Sequence, residues 1–289
     1  MLKTCFLLAA TGLLAVTSTS WAVSPTPDPL LAPSADLEMI YGQAGGLSWW
    51  RGSLQRALIG KAKIGDQFTL RYGPHYGFVS LHDSDEDVPG EETDLHEVAL
   101  MAFGTYEFRN SPWTIFSIVQ PGLYSSLSEV DHNDFTFIGR AGAFYQWSDT
   151  LTFNFGISHT RSLGEPQLLP FAGFAWEVND QFGLRLIGDR LTASYKVNED
   201  LYLRAGGFAV GGEWNLEDDA EGSVDLEFFS YHVGVGFDQK ISEKLWFTLW
   251  AGVALGNEVE VEDTGGNDIY SENYDTGWFV SAGIKAYEW

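Results

Sequence analysis

The stretch that decides the fold is "LTFNFGISH", Leu151 to His159. Leu151, Phe153, Phe155 and Ile157 alternate with Thr152, Asn154, Gly156 and Ser158, so an extended chain here has one apolar, aromatic face and one small or polar face. Period two means a strand, and it fits two arrangements. In a soluble sandwich the apolar face would meet a core, whereas in a membrane barrel it would meet lipid.

The neighbouring segments repeat the pattern. "FGLRLIG" sets Phe182, Leu184 and Leu186 against Gly183 and Arg185, and "RLTASYKV" sets Leu191, Ala193, Tyr195 and Val197 against Arg190, Thr192, Ser194 and Lys196. "FFSYHVGVGFD" places Phe229, Tyr231, Val233, Val235 and Phe237 opposite Ser230, His232, Gly234, Gly236 and Asp238. The pattern predicts strands at about 66–82, 95–108, 113–123, 134–147, 150–160, 168–177, 181–187, 190–197, 200–214, 224–239, 243–258 and 275–289.

The connections separate the two folds. Short ones (109–112, 148–149, 178–180, 198–200, 239–243) alternate with longer ones (83–94, 124–133, 161–167, 215–223, 259–274), with Gly188-Asp189 the tight exception. An up-and-down barrel sorts its connections this way, with tight periplasmic turns at one rim and longer loops at the other, and a Greek-key sandwich has no reason to. The reading is therefore all-β: a single up-and-down antiparallel transmembrane β-barrel of about 12 strands over residues 65–289, in the outer membrane of a Gram-negative bacterium.

Composition agrees. The chain has 32 Gly and is 15% aromatic, a mix that favours strands and turns. Its formal charge of -24 argues against a nucleic-acid partner, which needs a basic surface. Acids gather in "DSDEDVPGEETD" (83–94), "LEDDAEG" (216–222) and "EVEVEDTGGNDIYSENYD" (258–275), all assigned to the external side. Such loops could hold divalent cations and bridge them to lipopolysaccharide phosphates, although "DSDEDVPGEETD" lacks the glycine and closing glutamate of an EF-hand.

At the N-terminus, Lys3 and the apolar run Cys5 to Val16, closed by Ser20-Trp21-Ala22, read as a secretory signal over 1–22 with cleavage after Ala22. Cys5 is the only cysteine, so the mature chain has no disulfide. Residues 23–64 read as a Pro-rich and then basic segment (Arg51, Arg56, Lys61, Lys63) at the periplasmic side or rim. At the other end, "SAGIKAYEW" puts Tyr287 and Trp289 on one face of a last strand. There they would join the aromatic girdle and serve as the signal for the barrel assembly machinery, with Lys285 sharing the presumed lipid-facing parity.

Three further stretches carry a resemblance: "LLPFAGFAWEVNDQFGLRL" (168–186), "ASYKVNEDLYLRAGGF" (193–208) and "FFSYHVGVGFDQKISEKLWFTLWAGVALG" (228–256). From about Phe135 to Asp263 their order resembles an uncharacterised family of bacterial outer-membrane β-barrel proteins, a domain of unknown function. The stretch "IGDR" (187–190) departs from the pattern, where a proline is expected. The resemblance implies location and architecture and supplies no reaction.

Candidate chemistry is sparse. His159 and Ser162 in "SHTRS" offer a lipid-side pair of the kind some outer-membrane lipid hydrolases or deacylases use, but no orienting acid or oxyanion site accompanies them. The plainer reading of His159 is a polar strand end at the headgroup boundary. The histidines show no ligand spacing, and no cofactor is expected. Arg140, Arg185, Arg190, Lys196 and His232 fall on inward faces, His232 as a lumen histidine bonded to its neighbours, with Phe144, Trp246 and Trp250 partly plugging the interior. The expected role is passive rather than enzymatic: a narrow channel or a structural envelope protein held in outer-membrane lipid and lipopolysaccharide. The rival expectations are the His159/Ser162 hydrolase and a soluble secreted β-domain that binds a ligand.

Overall fold

The computed structural model describes residues 35–55, 60–83, 94–127, 130, 132–160, 167–218, 222–263 and 265–286. Sixteen strand segments make one antiparallel wall: β1 (Ala35–Ala44), β2 (Leu47–Gln55), β3 (Gly60–Ile64), β4 (Phe68–Asp83), β5 (Asp94–Glu107), β6 (Trp113–Ser125), β7 (Phe135–Ser148), β8 (Leu151–Thr160), β9 (Gln167–Glu177), β10 (Phe182–Ile187), β11 (Arg190–Asn198), β12 (Leu201–Asp218), β13 (Gly222–Ser242), β14 (Leu245–Asp263), β15 (Asp268–Tyr274) and β16 (Gly277–Ala286). Chain neighbours pair in up-and-down order, β1 pairs with β16 and β13 with β14, and the sheet closes on itself. Closure removes the sheet edges that a bilayer would leave unsatisfied.

The wall has fourteen positions, since β2 and β3 both pair with β4 and share one, while β15 and β16 both pair with β14 and share another. This corrects the expected 12. The missed strands lie in β1 to β3, so the barrel begins at Ala35 and not at residue 65. They were hidden because the first strand carries Asp36 and Glu38 at inward positions, and because Arg51 falls in the basic stretch that reads as a rim segment. Residues 1–34, with the expected signal, and 287–289, with Tyr287 and Trp289, lie outside the described residues, as do Arg56 and Ser162.

Prolines mark the interruptions, because a residue without an N–H cannot complete a ladder. Pro74 stands on β4 between the residues that pair with β3 and those that pair with β2. Pro121 sits where the β5–β6 ladder skips from Ala99↔Gly122 to Ala102↔Val119. Pro170 lies on β9 beyond its last pair with β10. The β10–β11 turn uses Gly188 at φ 82°, a left-handed conformation that glycine adopts without strain, in place of the proline the family pattern led us to expect.

The outward face of most of the wall is apolar. Leu37, Met39, Val98, Leu100, Ile115, Val119, Phe155, Ile157, Leu203, Val235, Val280 and Ile284 are exposed there. Tyr41, Trp50 and Trp278 cluster towards one rim, with ring centroids 4.6 and 5.3 Å apart. Trp113 and Tyr145 (4.6 Å), with Trp147 and Trp176, mark the other. Such girdles belong at the two membrane–water interfaces. A soluble domain would bury this belt.

The outer end is built differently. The β12 to β14 strands run 18, 21 and 19 residues, past their neighbours, so 215–223 and 259–274 are hairpin extensions and not the long loops expected. In "EVEVED", Glu258, Glu260 and Glu262 face outward, while Val259 and Val261 are fully buried. The change of face is made by a bulge. Phe229 pairs with Glu258 but Tyr231 with Leu255, and Gly256 takes φ 59° between them. Asn257, fully buried, pins it: its Oδ1 accepts from Ser230 Oγ (2.7 Å), and its Nδ2 donates to the carbonyls of Ala254 (3.2 Å) and Asp275 (2.9 Å). The interior of this end is apolar, with Leu47, Trp49, Val79, Leu95, Trp214, Leu216, Val224, Leu226, Phe228, Val259 and Val261 in one cluster. Asn215 of β12 bridges directly to Ser125 of β6, drawing these two strands together across the intervening β7 to β11. Tyr274 donates to Asp83 across the same end, and burial with that neighbouring carboxylate raises its pKa.

Candidate lumen site

Parity along the strands carries the charged side chains inward below the apolar outer end, where three groups form. Near the β12–β13 end opposite the hairpins, Arg204 on β12 pairs with Asp238 on β13, and Lys285 Nζ on β16 lies 3.8 Å from Asp238 Oδ1. Asp238 and Lys285 are buried, beside Tyr202 and Trp246, whose rings are 5.6 Å apart. Arg204 and Lys285 flank the one carboxylate of Asp238, and Asp36 and Glu38 of β1 add further negative charge near Lys285. Lys285 thus faces the lumen and not lipid as its expected parity had it. On β16, Ile284 takes the outward place.

The second group crosses the lumen. Arg51 Nη2 on β2 contacts Glu97 Oε1 on β5 (3.2 Å), Glu97 Oε2 bonds His75 Nε2 on β4 (3.0 Å), and Arg51 Nη1 donates to the carbonyl of Gly211 on β12 (3.0 Å). β2 and β12 are not wall neighbours, so this arginine ties opposite sides of the barrel. Just beyond it lies His232, fully buried and stacked on Phe279 (centroids 4.2 Å, 15°) between Phe208 and Trp49. Neither of its ring nitrogens meets a hydrogen-bond partner among the described residues. The expectation of a histidine bonded to neighbours is therefore corrected. Its neighbours are rings, supplied by β2, β12 and β16.

The third group lies on the short strands. Arg140 on β7 donates from Nε and Nη2 to Ser158 Oγ on β8 (3.1 and 2.9 Å), with its guanidinium 5.4 Å from the Phe171 ring centroid. Arg190 sits 4.4 Å over Phe208. Arg185 is buried on the inner face of β10, and Lys196 is half-buried on that of β11. Phe103, Phe116 and Phe171 cluster beside them, with Phe144 packed on. Sequence reasoning named Arg140, Arg185, Arg190, Lys196 and His232. It missed Arg51, His75, Glu97, Arg204 and Lys285, because the strand carrying Arg51 was not recognised and because pairing across a lumen leaves no trace in local spacing.

His159 faces the lipid side at the end of β8, and its Nδ1–H donates to the Phe137 carbonyl (2.7 Å). That contact suits a strand-end residue at the interface. Among the described residues no three His, Cys, Asp or Glu side chains converge on a metal position.

The family model described as "Domain of unknown function (DUF6268)" matches residues 75–287. The chain belongs to that family. DUF6268 thus extends over more of the chain than the 135–263 resemblance and includes nearly the whole wall from β4 onward. No curated protein matches the chain. Solved structures similar to it include an outer membrane channel from Pseudomonas putida F1 (13% identity, TM-score 0.44, covering 92% of this chain and 100% of that one) and a Pseudomonas aeruginosa FadL homologue (11%, 0.43, 96% and 99%). The KdgM porin is also similar (8%, 0.36, 88% and 99%). These likenesses are to barrels, at low identity and modest superposition.

Proposed function

We propose that this DUF6268 protein is a passive outer-membrane channel with a narrow, obstructed lumen. The observation that carries the reading is the inward charge of a lipid-embedded wall: Arg140, Arg185, Arg204, Asp238 and Lys285 all point into the barrel and none onto the apolar belt. Ionisable groups at membrane depth are costly and mark water paths or relays. A fourteen-position wall also exceeds the roughly 8 strands whose interior side chains fill the space. The apolar belt supports a place in outer-membrane lipid, and the outward acids of the hairpins support cation-bridged contact with lipopolysaccharide. The assembly machinery would read the end of the chain.

Planar-bilayer recording tests the proposal. The wild type should give small, unsteady current steps, and Arg51→Gln, which unties β2 from β12, should enlarge them. Absence of current from both proteins would overturn the channel and leave the structural envelope role.

A further inference from the structure

The lumen is not filled evenly. On β4, β6 and β16 every inward residue from Gly73 to Leu81, from Thr114 to Gln120 and from Phe279 to Lys285 is buried. On β7 the inner face is different. Thr136, Ile138, Gly142, Phe144 and Gln146 are part-exposed there, and among these inward positions only Arg140 is buried. On β9, β10 and β11 the inward residues repeat this order, part-exposed towards either end and buried at Phe171, Arg185 and Thr192. Between β7 and β9, Asn154 and Ser158 of β8 are buried as well, while Thr152 at its periplasmic end is part-exposed. Water reaches these strands from both ends of the barrel and is stopped by one thin layer.

The shape of the wall explains the difference. The Asn215–Ser125 bridge joins β12 to β6, so at the outer end the seven strands from β6 to β12 close on themselves beside the rest of the barrel. The larger side holds the apolar cluster, which includes Trp49, Trp250, Ala254 and Phe279, and Arg51 crosses it to Gly211. The smaller side holds the thin layer. Apart from Phe171 its members are polar: Arg140 donates to Ser158, and Arg185 and Thr192 are cross-strand neighbours. Just to the periplasmic side, Gly142 and Gly156 oppose each other on β7 and β8 and add no side chain to fill the space. The two sides differ in what opening them costs. A polar layer can exchange its hydrogen bonds for bonds to water with little net change, whereas parting the cluster exposes apolar surface in proportion to its area.

We propose that the water path of this barrel runs off axis, through the β6–β12 side of the lumen, and that the layer holding Arg140, Ser158 and Arg185 is its gate. The path takes small hydrophilic solutes, because the groups that must part are guanidinium, hydroxyl and amide. The proposal rests on the channel reading and gives the passage a place: along the inner face of β7, and not through the apolar cluster.

Thiol modification of the full-length protein in vesicles and planar bilayers tests it. The probe is a small hydrophilic methanethiosulfonate, and the wild type, whose only cysteine is Cys5, gives the background. Ile138→Cys and Thr152→Cys, on either side of the layer, should react at least about tenfold faster than Ala254→Cys and Thr248→Cys on the inner face of β14, since thiol reactivity follows exposure. Heat-dependent gel shifts show which variants insert, and Gln146→Cys replaces Thr152→Cys if that one does not. Modification at Thr152→Cys should lower the current. Arg140→Ala, or Arg140→Gln if the first fails to insert, should raise it at least about threefold, while Trp250→Ala, which takes a larger side chain from the apolar cluster, should not. Equal reaction rates at the four cysteine positions, or a larger current from Trp250→Ala than from the Arg140 variant, would overturn the off-axis path. Fast reaction at Ile138→Cys and Thr152→Cys without current from any variant would keep the off-axis entry of water and overturn the channel. Current with slow reaction at both would keep the channel and overturn the off-axis path.

Discussion

The membrane-embedded wall and the outer hairpins are made from the same strands with opposite patterning. On β13 the outward residues are Phe237, Val235, Val233, Tyr231 and Phe229 in one region and Glu227 and Asp225 in the other, while the inward ones change from Asp238 and Ser230 to Phe228, Leu226 and Val224. The backbone ladder continues through the change. What differs is the medium outside. Facing lipid, a strand gains nothing by hiding apolar groups and can keep charge within; facing water, it must bury them. The β14 bulge at Gly256 and Asn257 lets its valines turn inward at the level where acids begin to face out, although β13 makes the transition with no bulge of its own.

The sharpest way to break this comparison is Trp214→Ala. Trp214 is fully buried in the outer cluster, so its loss should remove ~3–5 kcal/mol there. Protease nicking of the β12–β13 hairpin should rise while the heat-dependent gel shift of the barrel persists. Loss of both together would show the two regions to be one cooperative unit. Next in size is a matched pair of outward charges. Val235→Arg, 65% exposed on the belt, should cost ~2–4 kcal/mol in folding into bilayers, if that site lies near the midplane. Glu260→Arg, outward on the hairpin, should stay within about 0.5 kcal/mol. Equal effects in a urea titration would erase the distinction between lipid and water faces.

Asn257→Ala removes the amide that holds the bulge and should cost about 1–3 kcal/mol, seen as a lower unfolding midpoint for the outer hairpin. The smallest effect lies at the hairpin tip. Asp263 accepts the amides of Asn267 and Gly265, and the Asn267 amide above all holds its pKa below the usual 3.8. The stabilisation is present above 3.8 and fades as pH falls through the lowered folded value. The amide resonances of Gly265 and Asn267 should therefore shift in acid with a midpoint below 3.8, and a midpoint at or above it would refute the assignment.

Much of this was legible in the chain. The alternation in "LTFNFGISH" and "FFSYHVGVGFD" reads as strands with the correct outward faces, and the turns at one rim fall at the short connections. Two rules misled. A run of acids points to a loop, which hides the strand in "EVEVED", although Val259 and Val261 keep period two. Asp36, Glu38 and Arg51 likewise hide β1 and β2, although Leu37, Met39, Tyr41 and Trp50 lie on the lipid side. Both errors treat polarity as a property of a segment when it is a property of a face.

The sequence alone determined that this chain forms an up-and-down barrel with apolar, aromatic strands facing lipid, because period-two patterning and the sorting of turns are local and survive in one dimension. It also placed Arg140, Arg185, Arg190 and Lys196 on inner faces, since parity needs only counting. Only the tertiary structure decided that Arg51 reaches Gly211 across the lumen, that β12 leaves its neighbour to meet β6, and that His232 lies among rings. Those contacts join residues whose separation in the chain is set by barrel closure and strand height, quantities that no local spacing records.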